Sequence, residues 1–228
     1  MQSDRYPAAL PSALPISTPP RLVGARPDQS LTMAEVQCFL AGKNERARLA
    51  LLAVGDPLGL AQRSKRWLVR ACLLFDVQPF VERACVALSW DHASIGKSAG
   101  SKTVPLEYWL DRVFRRTADR LHATDQELDE ARTAVSEPLS PRFLFLHAVL
   151  GIERDDLRSA CITANALADR EREAFHHLLV QGRTLDDYAR LWGVDRAEAR
   201  RAFQSALKTI GRAQVWTEQG GRASREQA

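Results

Sequence analysis

The chain has 228 residues, 45% of them hydrophobic and 26% charged, the balance of a globular protein with room for one large or two small cores. Its formal net charge of +4 and isoelectric point near 9.1 are compatible with a nucleic-acid partner but do not require one. No uninterrupted apolar run approaches bilayer-spanning length and prolines break the N-terminal apolar patches, which argues against a signal peptide or a membrane role and for a cytoplasmic protein.

Residues 1–30 hold six of the eleven prolines and no sustained periodicity, so a disordered arm is expected there. The pattern is helical from Thr32 to Val54. Gly55-Asp56-Pro57 then reads as a break, an N-cap and a proline at the first helical position. The next helix has Leu58, Ala61, Trp67, Leu68, Ala71 and Leu74 on its apolar side and is expected to stop near Asp76. Pro79 favours another start, followed by Phe80, Ala84, Val86, Ala87 and Trp90. The segment Asp91 to Val104 reads as a loop. Its GKSAGSKT stretch has phosphate-loop residues, but Asp91 stands where the first glycine of that motif is needed and no buried strand precedes it. Pro105 opens a helix with Leu106, Trp109, Leu110, Val113, Phe114 and Leu121 on one side and Arg112, Arg115, Arg116 and Arg120 on the other.

Thr124 to Pro138 is acidic, with Asp125, Glu127, Asp129, Glu130 and Glu137 against Arg132 alone, as expected of a solvated linker. Phe143 to Leu150 is apolar and leads into a helix that begins a second domain. Thr184 to Ile210 reads as two helices joined at Gly193. Thr184 is the first cap, Asp186 and Asp187 favour the positive end of the helix dipole, and Leu185, Tyr188, Ala189 and Trp192 share a face. The second helix starts near Asp195 with an apolar stripe of Ala199, Phe203, Ala206, Leu207 and Ile210. Its other face carries Arg196, Arg200 and Gln204 on one ridge, with Arg201 and Lys208 beside it and Glu198 the one acid between Arg196 and Arg212. A helix-turn-helix uses such a second helix in the major groove; an ordinary helical hairpin with a solvated charged face has the same pattern. The tail beyond Gly211 is polar and expected to fray.

No catalytic site, cofactor or metal is signalled. Cys38, Cys72, Cys85 and Cys161 are scattered, with no CxxC pair and no close histidine, and His176 and His177 are adjacent on a helix, where they face different directions. No Ser, His and Asp arrangement stands out.

Leu167 to Ile210 resembles region four of bacterial sigma factors of the extracytoplasmic-function type. Arg172, the apolar run Phe175, Leu178 and Leu179, then Gly182, Tyr188, Ala189, Gly193, Val194 and Ala206 fall at the family's spacing, with Ala168 in place of the usual proline. Ala202 and Ser205 stand where the family often has Arg or Lys. By segments, Leu51 to Trp67, Asp76 to Trp90 and Tyr108 to Leu121 are similar to sigma region two. There Asp76 stands two residues before Gln78 instead of three, Pro79 follows, and Arg116 takes the place of an Asn.

The resemblance implies an all-α protein of two small domains: arm 1–30, a region-two-like domain 31–123, an acidic linker 124–141, a region-four-like helix-turn-helix domain 142–212 and a tail 213–228. It implies a non-enzymatic transcription initiation factor whose partners are core RNA polymerase, promoter DNA and a cognate anti-sigma protein. Asp76, Gln78, Glu82 and Arg83 would meet polymerase. Trp109, Arg112, Arg115 and Arg116 would face the minus-ten element, with Trp90 and Trp109 as base-stacking surfaces beside a base-capturing loop at Asp91 to Val104. Arg196, Glu198, Arg200, Arg201, Gln204 and Lys208 would face the minus-thirty-five element. In the family the linker threads through polymerase channels, where an acidic segment can mimic RNA. Two other readings remain open: a sigma-like interaction protein that has lost promoter reading, and a helix-turn-helix regulator that binds operators without polymerase.

Overall fold

The computed structural model describes residue 40 and residues 44–91 and 106–225, with backbone alone at Asp91, Leu106 and 212–225. The proline-rich arm, residues 32–39 and 41–43 of the first predicted helix, the loop beyond Asp91 with its GKSAGSKT segment, and residues 226–228 lie outside the described residues. Among those described, every regular element is helical and no strand occurs. No helix there is long and apolar enough to cross a membrane.

Helix α1 (Glu45–Ala50) begins where Asn44 Oδ1 accepts from the Ala47 amide at 2.8 Å, and it runs into a wider π-type turn, Leu51–Gly55. Asp56 sits in the left-handed region at φ 37°, and its carboxylate accepts from the Leu60 and Ala61 amides. It caps a helix, as expected, but across an intervening turn, so α2 (Leu60–Ala71) starts beyond Pro57. Cys72, also left-handed at φ 55°, ends α2 earlier than the expected stop near Asp76. Helix α3 (Val77–Asp91) has Pro79 in its first turn, where no intrahelical donor is lost. Helix α4 (Leu106–Glu130) is the next described element, about 37 Å long at 1.5 Å per residue. It carries the first seven residues of the predicted acidic linker.

Helix α5 (Pro141–Leu150) ends at left-handed Gly151, and α6 (Leu157–Asn165) follows a short 3-10 turn. Helix α7 (Asp169–Phe175) widens into a π-type turn, His176–Val180. Helices α8 (Leu185–Trp192) and α9 (Arg196–Arg225) complete the chain order. The backbone stays helical to Arg225 although composition predicted fraying after Gly211, because extending an established helix adds a hydrogen bond per residue without a new nucleation step.

One apolar cluster joins α2, α3 and α4 through Leu60, Leu68, Phe80, Leu88, Leu110 and Phe114. Trp67 stacks on Phe80 with centroids 5.7 Å apart and donates its indole N–H to Asp111 Oδ1 at 2.8 Å. A second cluster is built on Leu146, Ile152, Leu157, Phe175, Ala206 and Ile210, and it takes in Leu74 from the stretch between α2 and α3.

Buried polar contacts join the same regions. The Asn165 side chain accepts from the Leu74 amide at 2.7 Å and donates to the Leu74 carbonyl at 3.2 Å. Arg142 grips both Asp125 oxygens at 2.6 and 2.9 Å and lies 3.3 Å from Asp76, whose carboxylate also accepts from the Arg142 amide. Asp125, expected on a solvated linker, is therefore buried. Its partner comes from α5, and a charge placed in that interior must be neutralised there.

Candidate nucleic-acid interface

The pair α8–α9 follows local rules closely. Thr184 Oγ1 accepts from the Asp187 amide at 3.1 Å, with Asp186 and Asp187 in the first turn. Gly193 adopts φ 62°, which a side chain resists, and Asp195 Oδ2 accepts from the Ala197 amide at 3.1 Å to start α9. Tyr188, Ala199 and Ala174 are buried together, with Leu185, Val194 and Phe203 packed around them. This small core fixes the outward face of α9.

On that face Arg200, Arg201, Gln204 and Lys208 are exposed, and among the described residues none has an ion pair or side-chain hydrogen bond. Arg196 and Glu198 differ: Arg196 lies 3.2 Å from Asp186, and Glu198 pairs with Arg170. Ser205 Oγ donates to Glu171 Oε1 at 2.6 Å, so its place on α9 is used for packing against α7.

The other predicted site residues scatter more. Trp109, expected as a stacking surface for a DNA base, is only 3% exposed and belongs to the first apolar cluster; burial of its large ring outweighs display. Trp90 is exposed. Arg115 is held by Asp111 at 2.9 Å, Arg112 is half-buried and Arg116 is exposed. Asp111 also accepts from Trp67 and meets Arg70. The indole hydrogen bond, then that from Arg115, holds its carboxyl below the usual range against the opposing effect of burial. Of the four residues assigned to polymerase, Gln78 and Glu82 are exposed and hydrogen-bonded to each other at 2.8 Å, and Arg83 is half-buried. Asp76 is turned inward to Arg142 and does not share their surface.

One grouping has no counterpart among the sequence expectations. Cys72, His176 and His177 are all buried, and one ligand atom from each lies within 4.8 Å of the others. Cys72 thus has close histidines, contrary to the reading of scattered cysteines. The partners are 105 residues apart, a separation that leaves no local pattern to read. The adjacent histidines reach one place from the π-type turn that begins at His176, their ring centroids 5.7 Å apart. Burial pushes the Cys72 thiol up to about 11 and the His176 imidazole down to about 4, the latter helped by His177, itself lowered by burial. Burial thus disfavours the charged form of each of the three groups. No family model, curated protein or solved structure matches the chain.

Proposed function

We propose that the chain is a sigma-like transcription initiation factor that binds core RNA polymerase and directs it to promoter DNA. The observation that carries this reading is the exposed quartet Arg200, Arg201, Gln204 and Lys208 on α9, behind a capped helix and a tight left-handed turn at Gly193. Side chains without partners among the described residues can meet base edges and phosphates, and Arg and Gln suit guanine and adenine edges respectively. Gln78 and Glu82 on α3, with Arg116 on α4, are further exposed groups for polymerase and the minus-ten element. The reading rests on the family resemblance of the helix pair and on this charge distribution.

A second reading, a sigma-like interaction protein without promoter specificity, is favoured by the burial of Trp109 and by the pairing of Arg115 with Asp111. Run-off transcription with purified core polymerase on a promoter library separates the two. Specific start sites that need the full chain are expected. Retention on core polymerase without any specific start supports the interaction protein, and sequence-selective DNA binding with no retention on polymerase supports an operator-binding regulator.

A further inference from the structure

We propose that Cys72, His176 and His177 form a binding site for Zn2+ that ties the end of α2 to the turn leading into α8. Zinc takes thiolate sulfur at about 2.3 Å and imidazole nitrogen at about 2.0 Å, so a tetrahedral site sets sulfur and nitrogen roughly 3.5 Å apart. Cys72 Sγ and His177 Nε2 are 3.8 Å apart. Drawing the remaining ligand atom in requires a movement of at most about 1.5 Å from the observed 4.8 Å limit, within reach of side-chain rotation.

The surroundings hold both rings: Gln181 Nε2–H donates to His176 Nδ1 at 3.3 Å, a hydrogen bond that is given up if that nitrogen is the zinc ligand. His177 Nδ1–H donates to Gln181 Oε1 at 2.9 Å, which leaves Nε2 with its lone pair toward Cys72, the outer hydrogen bond typical of a metal-bound histidine. Gln181 Oε1 is held in turn by Arg183 Nε at 2.9 Å. The ring of Trp192 lies 4.2 Å from that of His177 and limits its rotation. Two departures from ideal backbone bring the ligands together: the left-handed conformation of Cys72, which costs a non-glycine residue of order 1–2 kcal/mol, and the π-type turn at His176–Val180. Three protein ligands leave the fourth zinc position for water. On binding, the Cys72 S–H bond breaks, sulfur keeps the electron pair and bonds the metal, and the proton passes to solvent; the imidazoles bind as neutral ligands. Zinc contributes two positive charges and the thiolate one negative, and Glu173, whose charge acts on both Cys72 and His177, offsets the remainder.

The test uses the full chain, purified under reducing conditions and stripped with a chelator, and titrated first with Co2+ and then with Zn2+. One Co2+ per chain, a sulfur-to-cobalt charge-transfer absorption, displacement by Zn2+ and a higher Tm with Zn2+ but not Mg2+ are expected. Cys72→Ser should abolish the charge-transfer absorption, and Cys161→Ser and Cys85→Ser should keep it. Gln181→Ala, a half-buried position whose loss spares the core, should weaken Zn2+ binding roughly 10- to 100-fold, as removal of an outer hydrogen bond to a ligand does. Absence of stoichiometric Co2+ uptake by the wild-type chain, or an unchanged absorption in Cys72→Ser with native far-ultraviolet circular dichroism, overturns the proposal. So does loss of the absorption in a Cys161→Ser or Cys85→Ser chain that keeps native far-ultraviolet circular dichroism with Cys72 intact.

Discussion

Individual side chains in this protein gain their meaning from distant partners. Arg142 serves two carboxylates and lies over the Phe143 ring at 4.6 Å from its centroid. Removing it leaves Asp125 buried without its cation, so Arg142→Met should lower unfolding stability by about 3–5 kcal/mol, measured by urea denaturation. Adding Asp125→Asn should recover part of that loss, because the uncompensated charge is then gone. Asp111 gives a pH signature. Its folded-state carboxyl titrates below the unfolded one, so its contribution is complete above the ordinary carboxylate range, about pH 4, and fades as pH falls through the lowered folded value. Stability measured against pH should therefore fall less steeply on the acid side in Asp111→Asn than in the wild type. An identical slope would remove the indole hydrogen bond from the account.

At the scale of elements, the helix pair was the most legible part of the chain. Thr184, Gly193 and Asp195 act through neighbours within four residues, so their caps and turn can be read from local order. A Cβ at Gly193 meets nothing within 4 Å, and Gly193→Ala should destabilise by about 1–2 kcal/mol through backbone strain alone, with Gly193→Asn less harmful. Thermal unfolding of the two variants distinguishes strain from crowding. The start of α2 was less legible, since Asp56 caps across a turn and displaces the helix past Pro57. The acidic run misled for another reason: composition does not reveal that Arg142, on a separate helix, neutralises Asp125. On α9 the outward face was legible from its apolar stripe, but the pairing of Arg196 with Asp186 was not. This separates two kinds of substitution. Arg200→Ala should cost about 1–3 kcal/mol on the preferred DNA sequence and relax preference at one position. Lys208→Ala should weaken binding to all sequences alike and reduce the salt slope by about one. Binding across a sequence library at several salt concentrations checks both, and no effect from either would leave α9 a solvated surface.

For the whole molecule, the stretch between α2 and α3 is the meeting point. With the last residue of α2 it offers, within four residues, the Ala71 carbonyl to Arg172 at 3.3 Å, the Cys72 thiol to His177, and both backbone groups of Leu74 to Asn165. Asn165→Ala should cost about 1–3 kcal/mol, because the Leu74 amide then stays buried without an acceptor. Hydrogen exchange should show lost protection in α6 as well as beside Leu74, and a loss confined to one of them would mean that the two regions unfold separately. The order in which the chain is made adds a temporal consequence. Ribosomes add about 5–20 residues per second, and Asn165 is made 91 residues after Leu74, so the bend waits roughly 5–20 s for the amide that closes it. During that interval the nascent α2–α3 unit carries a Leu74 amide and carbonyl that Asn165 has yet to pair and a Cys72 thiol that His177 has yet to cover.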